Sequence, residues 1–212
     1  VFLDGDPIQS EGASLAAALA SGSSLAAQRG RVVIEVHADG NLLDEAALGA
    51  DHAVSELRLT SADPYLLVQA TLDDAAAALD QLARDQSSAA RLVHQDRLQE
   101  AVGSLQHVFQ TWQTVKDVAE RASSLLNEDL LAVPVEVKGK ALVGHVLSQE
   151  LLVRLRGVKQ ALSRDDWSRL ADMLGSELVD LASRWHQLMQ GLAKYVGDLR
   201  PQRTSLGKGV QA

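Results

Sequence analysis

From Val68 to Leu192 apolar residues recur at steps of three and four, and this pattern limits what the chain can become. Val68, Leu72, Ala75, Leu79 and Leu82 form one stripe. Leu98, Val102, Leu105, Phe109, Trp112, Val115, Ala119, Ala122 and Leu126 form a second, with steps close to a heptad seam and one skipped beat at Trp112. Pro134 and Gly139 interrupt the pattern. Val143, Leu147, Leu151, Leu155, Val158 and Leu162 then make a third stripe. Trp167, Leu170, Leu174, Leu178, Leu181, Trp185, Leu188 and Leu192 make a fourth, ended by Gly197 and Pro201. Spacing of this kind puts apolar side chains on one face of a helix, and that face must be buried against another element. Aromatics are only 3% of the chain, so Leu, Val and Ala must fill the interior, as closely packed helices allow.

The first 62 residues carry a different pattern. Val1-Phe2-Leu3 meets Asp4-Gly5, a strong turn signal between strands, and Ile8-Gln9 can start a return strand. Ser14 opens an Ala/Leu helix over Leu15 to Gln28, weakened by Gly22 and stopped by Gly30. Arg31 to Ala38 is the best strand, with Val32, Ile34 and Val36 alternating against Val33, Glu35 and His37. Asp39-Gly40 repeats the turn signal, and Ser55 to Thr60 alternates as a half-buried strand does. Strand, turn, strand, helix, strand, turn, strand resembles the β-grasp order of ubiquitin-like and sulfur-carrier domains. Such carriers end in an exposed Gly-Gly, whereas this segment continues into Ser61-Ala62-Asp63-Pro64, which disfavours a carrier role. Asp63 is a good N-cap and Pro64 is favoured at a first helical position.

The expected architecture is α+β, mainly α. It has a small β-grasp-like head over 1–62, an antiparallel four-helix bundle of two helical hairpins over 63–200, and a disordered tail over 201–212. A short internal echo supports two hairpins: Leu92, Asp96 and Ala101 match Leu162, Asp166 and Ala171 in spacing. Each Asp is expected to cap the helix that follows.

The chain has no cysteine, which excludes disulfides, thiolate metal sites and cysteine nucleophiles. Its net charge of −8 argues against a general nucleic-acid binder. Residues 138–212 nevertheless hold 7 acidic and 12 basic residues, net +5, against −13 for 1–137. Either the two parts attract each other, or the basic end docks an acidic partner. No secretion signal is visible and no apolar run reaches the roughly 20 residues of a membrane span, so a cytoplasmic location is expected.

Catalytic and metal motifs are absent. No Glu has a His three positions later, and neither a phosphate-binding Gly loop nor a Gly-x-Ser-x-Gly elbow occurs. Glu100 and His107 share a helix face as a solvated pair. Asp165–Arg169 and Asp180–Arg184 are i, i+4 ion pairs worth about 0.2–0.5 kcal/mol each. No cofactor is expected.

Asp166-Trp-Ser-Arg-Leu170-Ala171-Asp172-Met-Leu174-Gly-Ser-Glu177-Leu178, followed by Trp185, is similar to a segment near the C-terminus of uncharacterised bacterial helical proteins. Some of these look associated with cell-surface or motility gene neighbourhoods. The family usually has a Tyr before Glu177, where this chain has Ser176. The resemblance implies a shared fold and no chemistry. The expected function is a non-catalytic interaction, scaffold or adaptor protein that binds a protein partner or itself, with Trp112, Trp167, Leu174 and Trp185 as the candidate interaction residues. The alternative is a small-ligand- or metal-binding helical bundle, with an enzyme as one form of it, whose site would be sought first near Glu100, His107 and Trp112.

Overall fold

The computed structural model describes residues 1–10, 14–44 and 54–200. The chain is α+β and mainly α, and it divides into two compact units, Val1–Leu67 and Val68–Ala212. The expected boundary at residue 62 falls at the end of the last head strand; the first helical turn beyond it, through Leu67, belongs to the first unit. The expected tail over 201–212 lies outside the described residues.

In the first unit the strands are β1 (Phe2–Leu3), β2 (Asp6–Pro7), β3 (Val32–Ala38), β4 (Asn41–Leu42) and β5 (Leu57–Ala62), with helix α1 (Leu15–Gln28) between β2 and β3. The sheet order is β2-β1-β5-β3-β4, with β1 parallel to β5 and the other pairs antiparallel. Both Asp-Gly turns have positive φ at each residue, 53° and 92° at Asp4-Gly5 and 49° and 84° at Asp39-Gly40. That is the two-residue turn whose twist matches paired strands. The Ser14 hydroxyl accepts from Ala17 N and caps α1. Gly22 lies on the buried side of α1, where a Cβ would stand 2.0 Å from Leu59 Cδ1. The glycine that weakens the helix in isolation therefore lets it lie close on the sheet.

The alternation expected along β3 breaks. A bulge between Val33 and Glu35 leaves Ile34 44% exposed, and Val36 and Ala38 are buried instead. An extra residue in one strand shifts the inward phase by one.

In the second unit the helices are α2 (Pro64–His94, its first turn in the first unit), α3 (Leu98–Leu126), α4 (Gly144–Ser163), α5 (Trp167–Asp172) and α6 (Leu178–Leu199). A π-turn over Met173–Glu177 joins α5 to α6. Asp63 Oδ1 accepts from Tyr65 N at 3.0 Å, so α2 starts on the expected Asp-Pro cap.

The directions follow from the contacts. His186 Nδ1 lies 2.9 Å from Ala76 O, and a Cβ on Gly197 would meet Gln69, so numbers rise on α6 as they fall on α2. His107 lies near Asp85 across the tight α2–α3 turn, so α3 also opposes α2. Arg184 binds Glu150, and Arg154 binds Glu177, so α4 opposes the α5–α6 segment.

The two hairpin turns share one backbone form, offset by one from the expected echo. Asp96 and Asp165 adopt φ 60° and 52°, and the next amides, Arg97 and Asp166, donate to Leu92 O and Ala161 O at 2.9 Å. Asp166 does cap its helix through Arg169 N at 3.0 Å. Asp96 does not cap, because it is the left-handed residue that closes the previous helix. The N-cap is Arg97, whose guanidinium binds Glu100. For the same reason Asp165 makes no i, i+4 pair; Arg169 binds Glu177 at 2.7 Å.

Between the hairpins, β6 (Val135–Val137) and β7 (Lys140–Leu142) pair across a Lys138-Gly139 turn with φ of 51° and 76°. A Cβ on Gly191 would stand 2.1 Å from Val135 Cγ1, so this hairpin lies directly against α6.

Candidate functional site

Helix α3 carries two apolar stripes. The buried one runs Ala101, Leu105, Val108, Trp112, Val115, Ala119 and Ala122, an unbroken alternation of steps of four and three. Val102 and Phe109 belong to a neighbouring stripe that continues to Lys116 at a spacing of seven residues. Val102 is 45% exposed and Phe109 is half-buried. The skipped beat read in the sequence is a crossing from one stripe to the other.

Helix α4 has the same construction. Leu147, Leu151, Val158 and Ala161 are buried. Beside them Ser148, Leu152, Leu155, Lys159 and Leu162 repeat at steps of four, three, four and three, half-buried or exposed.

The outer α4 stripe faces the Phe109–Lys116 part of the outer α3 stripe across an open groove of about 520 Å³. Phe109, Trp112, Gln113 and Lys116 form the α3 wall; Leu151 joins the outer α4 stripe in the other. Leu152 on the rim is 47% exposed. Lys116 and Lys159 are the only charged groups among the described lining residues. Lys116 binds Glu120 one turn on, at 2.5 Å, and Lys159 makes no ion pair among the described residues. The Ser148 Oγ is buried in the α4 wall with no hydrogen-bond partner.

The base of the groove is rigid. Trp112 meets Trp185 of α6 edge-on, with ring centroids 6.3 Å apart at 72°. Gln86 of α2 is fully buried. Its amide, oriented to suit both neighbours, accepts from Trp112 Nε1 at 2.9 Å and donates to Leu178 O at 3.2 Å. The α4 wall is fixed to α6 by a bidentate bond, in which Arg184 donates to both oxygens of Glu150 at 2.7 and 2.6 Å. These bonds hold the Glu150 carboxyl below its usual range against the opposing effect of burial, and they raise Arg184.

Of the residues singled out from sequence, Trp112 alone lines the groove. Trp112, Leu174 and Trp185 are 2%, 0% and 0% exposed and fill the interior of a single copy, while Trp167 is half-buried at the start of α5. Glu100 and His107 do not come together: Glu100 binds Arg97, and the exposed His107 lies 3.7 Å from Asp85. No group of His, Asp and Glu among the described residues could hold a metal ion, and no described helix is long and apolar enough to cross a membrane. Phe109 and Leu155 were legible only as members of core stripes, and Leu152 and Lys159 carried no reading from sequence. The signal that separates them is a second heptad running one residue beside the first. In comparisons with known proteins, no family model, no curated protein and no solved structure matches this chain.

Proposed function

We propose that the protein is a non-catalytic interaction protein, an adaptor or scaffold of the bacterial cytoplasm, that receives a protein partner in the groove between α3 and α4. One observation carries the reading: two apolar heptad stripes face each other across an open groove on a rigid base, with Leu152 on its rim 47% exposed. Apolar surface gathered in this way marks a contact site rather than scattered surface residues. The groove volume of about 520 Å³ also suits a second reading, a small-ligand-binding bundle, because ligand pockets span about 300–1,000 Å³.

The test is light scattering at several concentrations and two salt levels, with Nile red, a neutral apolar dye, as the groove probe. The expected result is a monomer that binds Nile red and loses that binding in the Leu152→Glu/Leu155→Glu variant. A dimer that excludes the dye means a second copy covers the groove. A monomer that ignores the dye overturns the groove as a receptor.

A further inference from the structure

We infer that the groove takes an amphipathic helix of another protein whose apolar stripe is bracketed at both ends by acidic side chains. The inference rests on the groove reading above and adds the shape and charge of the occupant.

The shape comes from periodicity. Ser148, Leu152, Leu155, Lys159 and Leu162 keep heptad steps, and Phe109 and Lys116 on the opposite wall stand seven residues apart. Two neighbouring helices whose outer stripes share that period leave holes at the spacing where a third helix inserts its own side chains. From Ser148 to Leu162 the α4 wall advances 14 residues, which at 1.5 Å each is about 21 Å. A helix of about four turns covers that length, with anchors at i, i+3, i+4 and i+7.

The charge comes from the placement of the lysines. Trp185 meets Trp112 while the adjacent Arg184 meets Glu150, so Trp112 and Glu150 stand at one level of the groove. Helix α3 runs opposite to α4, so Lys116, four residues past Trp112, lies toward the Ser148 end. Lys159 lies toward the Leu162 end. A cation therefore stands near each end of an apolar strip, Lys116 bridged to Glu120 beside the strip and Lys159 without an ion pair, and no carboxylate lines the strip among the described residues. An amphiphile with a single charged head would answer one lysine and leave the other. A second copy docked through the same face would add two more lysines. A helix with Asp or Glu beyond both ends of its apolar stripe answers both. The region 138–212, net +5 in a chain of net −8, extends the same preference, with exposed Arg156 on α4 one turn from Leu152.

The experiment is a fluorescence-anisotropy titration of the full chain against two labelled three-heptad peptides. Both carry Leu at the a and d positions; one has Glu and its twin has Lys at e and g. The Glu peptide is expected to bind at least about tenfold more tightly at low salt, with the gap shrinking at high salt. The Lys116→Glu/Lys159→Glu variant is expected to reverse the order while keeping its circular dichroism. Leu152→Glu is expected to weaken both peptides. Equal binding of the two peptides overturns the acidic partner and leaves the groove standing. Binding of neither, with Nile red still bound, overturns the helix as occupant. Loss of the dye as well removes the groove reading beneath it.

Discussion

The two compact units bury one polar residue each among those described, Ser61 at 5% exposure in the head and Gln86 at 0% in the helical unit, and they secure them by opposite means. Ser61 sits among charges. Asp4 accepts from Ser61 N at 2.7 Å and from its hydroxyl at 2.6 Å, and Arg31 donates to that hydroxyl at 2.6 Å and to the Ser61 carbonyl. The cluster links the β1–β2 turn, the last strand β5 and the start of β3 at the edge of a small core. Gln86 sits among neutral groups, joining α2 to Trp112 of α3 and to the α6 backbone at the centre of a large core. A small core has little apolar area to spend on cohesion, and an ionic tie near water carries little desolvation penalty there. A deep core excludes charge and needs its polar atoms satisfied without it.

The comparison can be broken from its heaviest side first. Trp185→Ala removes the partner of Trp112 at the centre of the helical unit, and its own Nε1 has no hydrogen bond to lose, so the effect is one of packing. A loss of about 3–5 kcal/mol in urea unfolding is expected. A loss under about 1 kcal/mol would mean that the Trp pair does not hold the helices together. Gln86→Leu strands the Trp112 N–H without a partner and removes the extra donor to the Leu178 carbonyl, for an expected loss of about 1–3 kcal/mol. Because neither partner titrates, that loss should stay constant across the acid range.

Asp4→Asn is the lighter change, about 1–2 kcal/mol at neutral pH, and should behave in the opposite way. Hydrogen bonds from Ser61, aided by Arg31, hold the Asp4 carboxyl below its ordinary value of 3.8. A carboxyl lowered by folding stabilises above its unfolded value and loses that contribution as pH falls through the folded one. Exchange protection of the Ser61 amide should therefore fall as the pH drops below about 4 in the parent chain and stay flat there in the variant. Equal acid sensitivity in both would place the titration elsewhere. Glu150 is the first alternative, since Arg184 lowers it as well.

Much of the fold could be read from local chemistry. The Ser14 cap, the span Leu15 to Gln28, both Asp-Gly turns and the Asp63-Pro64 start need only neighbours in sequence, and each stands where local rules put it. What went unread depends on partners far along the chain. Ile34 looked inward because alternation ignores the bulge that β5 imposes on β3. Gly139 was legible only as an interruption because Lys is an unusual first residue for such a turn, and the docking of Val135 on Gly191 is invisible locally. The groove was hidden most thoroughly. Val102 and Phe109 stand one residue from Ala101 and Val108, and the apolar side chains at both sets of positions satisfy helical spacing equally well. Only packing against α2 and α6 decides which stripe goes inside, and only the direction of α4 decides that the other faces a matching one.

The wide turn at Met173–Glu177 has a bearing on how the chain's length can change. Elsewhere in these helices, deleting one residue turns everything beyond it by about 100° and carries a buried stripe toward water. Here Leu170 before the turn, Leu174 within it, and Leu178 and Leu181 after it are all buried, and the π geometry already stores one residue in excess. Removing that residue lets the helix return to even winding with both flanks still aimed at the core. Among the described helices of this unit, the last one holds a position where a lineage can drop a codon and keep its interior on the inside.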